Sequence, residues 1–224
     1  MNISPRLLAV ADLIGTAEVV ADIGTDHAYL PVYLIENNLV STAIASDVRK
    51  GPLENAKKTV LQHGLGDKIE LRLSDGLKSY KKGDASVFAV AGMGGLLISS
   101  FIEDTPWLRE QGIRLVLQPM THAEELRKTL FDCGFSIDRE IAVREGTKLY
   151  IVISAFYSGV KQTYSDFDIA VGSIRPKDGK TEQEFLEKLA FTYQKKLTAL
   201  NNAGRTDEKC ESILKQLKSL LKGE

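Results

Sequence analysis

Between Val19 and Tyr29 the chain reads Val-Val-Ala-Asp-Ile-Gly-Thr-Asp-His-Ala-Tyr, an apolar run that stops at an acidic turn carrying a glycine. The pattern predicts a buried strand ending in a binding loop. Gly24 permits a tight turn there, and the segment from Tyr29 to Glu36 has the character of a helix whose amides can face a ligand. Asp22 and Asp26 would repel a pyrophosphate and attract a ligand bearing an ammonium or sulfonium. An ordinary strand and turn is the alternative.

The same strand, turn and helix unit recurs downstream. Thr42 to Ser46 forms a second apolar strand ending in Asp47, about 20 residues after the first loop, the interval at which nucleotide-binding α/β folds place a carboxylate over a ribose diol. Each charge-assisted bond to such a diol is worth about 1.5–3 kcal/mol. Asp47 can equally cap the helix that starts near Gly51-Pro52 and stops at Gly64. Ile69 to Leu73 alternates like a strand near a sheet edge and ends at Ser74-Asp75-Gly76-Leu77, where Asp75 can accept from an adenine amine and Gly76 can admit a flat ring. Ser86 to Ala91 is a fourth strand that runs into Gly92-Met93-Gly94-Gly95, a small-residue loop suited to close approach of a ligand.

Ile113 to Pro119 continues the series as a fifth strand, followed by a helix from Ala123 to Cys133. Phe135–Val143 and Lys148–Tyr157 form a hairpin around Glu145-Gly146. Before the first strand, Ser4-Pro5 caps a short amphipathic helix whose Arg6 is placed to reach a carboxylate or phosphate, or to stay solvated. This alternation specifies a doubly wound α/β sandwich over residues 1–158. Residues 159–224 read as a polar linker to Gly179 and then two helices, the first opened by a Thr181-Glu182-Gln183-Glu184 capping box and the second starting at Thr206. The two can pack as an appended antiparallel hairpin whose Lys195, Lys196, Lys215 and Lys218 can engage phosphates or remain a solvated face.

Composition narrows the partners. The 224 residues carry a net charge of −1, so nucleic acid can be held only by a local basic patch. The two cysteines, Cys133 and Cys210, lack metal-ligand spacing. With no apolar run long enough to span a bilayer and no leader pattern at Met1–Arg6, a cytoplasmic protein without a membrane partner, a metal or an obligate protein partner is expected.

The acidic first loop, Asp47, Asp75 and the small fourth loop resemble, in that order, the Rossmann-like class I S-adenosylmethionine-dependent methyltransferases. Ser4-Pro5-Arg6-Leu7, Asp22 to Tyr29, Ser74 to Leu77 and Ala91 to Gly95 closely resemble the bacterial tRNA adenine-N1 methyltransferase family acting on adenosine 22. The resemblance covers the α/β domain well and the helical arm in layout only, and Val171-Gly172-Ser173-Ile174 departs from the Gly-Pro that family would have early in the arm. The resemblance implies S-adenosylmethionine as cofactor, held by Asp22, Gly24, Thr25, Asp26, Asp47, Asp75, Gly76, Ala91, Gly92 and Met93. It also implies a tRNA substrate held partly by the helical arm, as a coiled-coil-like C-terminal domain.

The fourth loop carries a separate chemical reading. It lacks the side-chain acceptor and aromatic platform of enzymes that methylate exocyclic amines. A ring nitrogen such as adenine N1 owns an in-plane lone pair, so alignment can supply about 7–11 kcal/mol of the acceleration. Asp26 is then expected to accept from the exocyclic amine of the target base, with His27 or Tyr29 stacking on it or positioning it. Asp26 holding the cofactor's amino group is the alternative. Methylation of a small molecule or protein, or a non-catalytic binding module, are the rival functions, while the absence of Gly-x-Gly-x-x-Gly argues against a nicotinamide enzyme.

Overall fold

The computed structural model describes residues 1–223. Its centre is a seven-stranded sheet of order β3-β2-β1-β4-β5-β7-β6. The strands are β1 (Ala17–Ile23), β2 (Val40–Asp47), β3 (Ile69–Leu73), β4 (Val87–Met93), β5 (Arg114–Pro119), β6 (Phe135–Glu145) and β7 (Lys148–Tyr157). β1 to β5 are parallel, and β7 runs antiparallel to both β5 and β6. The expected hairpin is present, and β3 lies at the edge that its alternation specifies.

Alternating side chains serve two layers. Ala21, Ile23, Leu115 and Leu117 face one core, while Val20 and Val116 face the other. The second face is covered by α1 (Pro5–Ile14), α2 (Tyr29–Glu36) and α3 (Lys50–Gln62), and the first by α4 (Gly95–Glu103) and α5 (Ala123–Asp132). Local chemistry sets the ends of α1. Ser4 accepts from the Leu7 amide, Pro5 opens the first turn, and Gly15 leaves it at φ 63°.

The segment after residue 158 is more ordered than its polarity suggests. It contains α6 (Asp166–Val171), capped reciprocally by Ser165 and Asp168, and Ile169, Ala170, Val171 and Ile174 are buried. The linker expectation is corrected there: a short capped helix lies on the core, its buried residues too few to show a helical period. The capping box at Thr181 is corrected as well. α7 (Lys180–Asn202) starts two residues earlier, with Gly179 as its N-cap, and the acid of that box, Glu184, pairs with Arg144, while Glu182 turns to β6 and accepts from the Ala142 amide at 3.0 Å. α8 (Glu208–Lys222) is capped by Asp207, whose side chain accepts from Cys210. α7 and α8 pack as the expected hairpin.

Candidate active site

The sheet order reverses between β1 and β4, so the crevice beyond the carboxyl ends of these strands is where such a fold holds ligands. β1 delivers Asp22 to that crevice and Gly24 turns away at φ 80°. The Gly24 and Thr25 amides both donate to the Ser46 carbonyl, at 2.8 and 2.7 Å, which ties the turn to β2. A Cβ on Gly24 would collide with Met93 Cε, so the small residue allows the β4 loop to lie against the β1 loop. Thr25 is buried, and its hydroxyl accepts from the Ala28 amide at 3.0 Å, closing the turn before α2. Asp22 is 6% exposed, and burial pushes its carboxyl up to about 6, with the Thr25 hydroxyl partly offsetting the rise.

A cavity of about 370 Å³ opens here. It gathers Arg6, Asp22, Gly24, Thr25, Asp26, His27, Tyr29, Ala91 and Gly92 from the sequence reading, and adds Leu7, Leu30 and Met120. The Asp26 carboxylate is 68% exposed and stands 3.4 Å from His27 Nε2. His27 and Tyr29 stack with ring centres 4.9 Å apart and planes 7° from parallel. This exposed acid beside an aromatic pair can both accept a hydrogen bond and support a flat ring.

Arg6 is not a solvated surface residue. Its Nη1 donates to Gln118 Oε1 at 3.0 Å and to Met120 Sδ at 3.4 Å, and its Nε donates to Glu145 Oε2 at 3.3 Å. Its guanidinium also lies 5.5 Å from the Tyr150 ring centre. Gln118, Met120, Glu145 and Tyr150 escaped the sequence reading because they meet Arg6 across more than 100 positions. One signal was available: Gln118 is a polar residue closing the apolar run Leu115-Val116-Leu117.

The β5 loop frames the small-residue loop after β4. Gly92 N donates to Gln118 Oε1 at 3.0 Å, Met120 N to Met93 O at 2.8 Å, and Gly95 N to Thr121 O at 2.8 Å. A Cβ on Gly95 would strike the His122 carbonyl.

The remaining residues lie around or away from this cavity. Asp47 is 8% exposed, and its Oδ1 accepts from the Arg49 amide at 2.8 Å, leaving Oδ2 with no protein donor among the described residues. Asp75 is exposed and paired with Lys78 at 2.5 Å. Gly76 adopts φ 56°, and a Cβ there would sit 2.5 Å from Phe101, so the flat surface beside it is a protein ring. Next to it a second cavity of about 470 Å³ is lined by Asp75, Leu77, Leu97 and Phe101 among others. Lys195, Lys196, Lys215 and Lys218 are exposed on α7 and α8, outside the first cavity. Lys196 pairs with Asp207 at 3.0 Å and Lys218 donates to Gln194 at 2.8 Å. Among the described residues no group of His, Cys, Asp and Glu could hold a metal ion, and no helix is long and apolar enough to cross a membrane.

The switch-point crevice, the acidic glycine turn and the carboxylates closing β2 and β3 define a Rossmann-like, class I methyltransferase domain, and residues 3–153 match the family described as "Methyltransferase domain". The Bacillus subtilis tRNA (adenine(22)-N(1))-methyltransferase is 37% identical over 174 residues, which cover 78% of this chain and 73% of that one. The chain belongs to the tRNA (adenine(22)-N(1))-methyltransferase family. The fold agrees over nearly its full length. A Streptococcus pneumoniae structure in complex with S-adenosyl-L-methionine superposes with a TM-score of 0.84 at 32% identity, covering 98% of this chain and all of that one. The M. capricolum TrmK structure with S-adenosyl-homocysteine superposes with a TM-score of 0.77 at 26% identity, covering 98% and 96%.

Proposed function

We propose that this chain transfers the methyl group of S-adenosylmethionine to N1 of adenosine 22 in tRNA, a reaction carried out in the cytoplasm. The observation that carries this reading is the cavity at the switch point, where a buried carboxylate and a glycine cradle meet an exposed acid and a stacked aromatic pair.

The residues present fit the cofactor. Asp22 is a desolvated acid that a neighbouring ammonium or sulfonium would keep ionised, and Asp47 retains a free carboxylate oxygen suited to a ribose diol. Gly24, Thr25, Ala91 and Gly92 line the cavity, Met93 packs on Gly24 without lining it, and Asp75 lines the second cavity beside Gly76. When bound, S-adenosylmethionine supplies a methyl group made electrophilic by its sulfonium.

The chain's own work is alignment. Asp26 accepts a hydrogen bond from the exocyclic amine of the target adenine, which orients the ring so that N1 faces the methyl group. His27 and Tyr29 give that base a stacking surface after it leaves its own helix. Arg6, fixed by Gln118 and Glu145, offers the remaining guanidinium nitrogen to a carboxylate or phosphate. Residues 1–158 serve as the catalytic domain and residues 159–224 as the helical part that grips the tRNA body, with Lys195, Lys196, Lys215 and Lys218 toward phosphates.

The test is mass spectrometry of nucleosides from unmodified tRNA incubated with the protein, with and without S-adenosylmethionine. A cofactor-dependent N1-methyladenosine peak, mapped to adenosine 22 by a reverse-transcription stop, is expected. Absence of any methylated nucleoside despite cofactor binding would refute the tRNA assignment.

A further inference from the structure

We propose that Gln118 is a positioning residue for methyl transfer, acting by holding the Arg6 guanidinium and the Gly92 amide on one oxygen atom. The proposal rests on the reading above of the cavity as the methyl-transfer site.

Gln118 closes β5 and is fully buried. Its Oε1 accepts from Arg6 Nη1 at 3.0 Å and from Gly92 N at 3.0 Å, using both lone pairs of the carbonyl. Its Nε2 donates to the Pro119 carbonyl at 2.9 Å. That third bond decides which way the amide faces, since a flipped amide would aim an N–H at two other donors. Gly92 stands at φ 81°, and Arg6 Nη1 lies only 3.3 Å from where a Cβ would be. The β4 loop and the guanidinium are therefore in near contact, with Gln118 fixing both.

A buried amide with both acceptor lone pairs directed at two cavity-lining residues exceeds what strand pairing requires. What the acceptor adds is a Gly92 amide turned toward β5 and a tie between that amide and an arginine whose Nε end Glu145 already holds. Positioning of this kind bears on the transition state more than on binding, because small misplacement of aligned reactants is costly in rate.

The experiment compares Gln118→Leu, which removes the acceptor at similar volume, with Gln118→Glu, which keeps an acceptor for both donors. Each is made alone and with Arg6→Ala, with wild-type protein assayed on tRNA in parallel. Gln118→Leu is expected to lower kcat about 10- to 100-fold with a smaller change in KM, and Gln118→Glu to recover most of it. In the Arg6→Ala background the Gln118→Leu loss should shrink well below its value in the wild type, since part of the action passes through Arg6. Amide hydrogen exchange supplies a readout that needs no turnover: Gly92 protection should fall in Gln118→Leu and persist in Gln118→Glu. Additive losses, or a Gln118→Glu variant as slow as Gln118→Leu with Gly92 still protected in both, would overturn the role. If Gln118→Leu does not fold, Gln118→Met, which fills the space without a strong acceptor, takes its place: a lowered kcat together with lost Gly92 protection supports the role, and a wild-type kcat with Gly92 unprotected rejects it. A wild-type protein without activity on tRNA would instead fail the functional reading, while the exchange data would still report on the bridge.

Discussion

Asp22 at the end of β1 and Asp26 in the loop that follows stand four positions apart and have opposite environments. Asp22 is buried and its carboxyl is pushed up to about 6, while Asp26 keeps a side chain 68% exposed. Protonated Asp22 has no charge to offer a cation, so cofactor affinity should be nearly full at pH 7.5, about halved near pH 6 and about tenfold weaker at pH 5. Titration calorimetry across that range checks this, and Asp22→Asn should flatten the profile at the weak end. The same shift has a stability sign. The folded state holds this proton more tightly than the unfolded one, so the group's contribution is lost as pH rises from about 4 through 6. Asp26, by contrast, belongs to the target base in our reading. Asp26→Ala should lower turnover by about 100-fold, the scale of a lost transition-state contact, with cofactor affinity within about twofold of wild type. Equal losses in both would assign Asp26 to the cofactor.

At the scale of elements, α6 shows what a sequence pattern conceals. Ser165-Asp166-Phe167-Asp168 is a legible capping box, yet the helix behind it spans only six residues, too short for a period to register. Its hold on the molecule comes from a buried ion pair that no local pattern could announce. Arg127 of α5 and Glu140 of β6 meet at 2.7 Å with side chains 1% and 0% exposed. Arg127 Nη1 donates to the Ile169 and Ala170 carbonyls that end α6, and Glu140 Oε2 accepts from Ser173 N at 2.5 Å. Gly172 turns between them at φ 69°, and a Cβ there would strike the Glu140 carboxylate. Arg127→Met would leave a buried carboxylate without its cation and should cost about 3–5 kcal/mol in urea unfolding, whereas Arg127→Met with Glu140→Leu should recover much of that loss. The strands and helices of the sheet were legible for the opposite reason. Each carries its own period, cap or glycine stop, as Ser4-Pro5 and Gly15 do for α1. The candidate cavity was legible where it follows strand ends, in Asp22 to Tyr29 and Ala91-Gly92, and silent where it takes in Met120 and where Gln118 and Glu145 hold Arg6 from across the fold.

Across the whole molecule the helical segment after residue 158 is continuous with the sheet. Leu186, Ala190 and Leu197 of α7 and Ile213, Leu214 and Leu217 of α8 join Leu115, Ile153 and Phe135 in one buried cluster. Polar ties cross the same boundary: Tyr193 donates to Glu124 at 2.9 Å, Glu182 accepts from the β6 backbone, and Arg144 pairs with Glu184. Each large apolar side chain in such a cluster contributes about 1.5–3 kcal/mol that neither part keeps if they separate. Division of labour between the sheet and the helices then does not imply separate stability. Calorimetry of the full chain should show one unfolding transition, with calorimetric and van't Hoff enthalpies in agreement. S-adenosylmethionine bound at the β1 and β4 loops should raise that whole transition, helices included, since binding to the native state stabilises everything that unfolds with it. Two resolved transitions, with only one moved by the cofactor, would show that the helical part unfolds on its own and that the buried cluster does not couple it to the sheet.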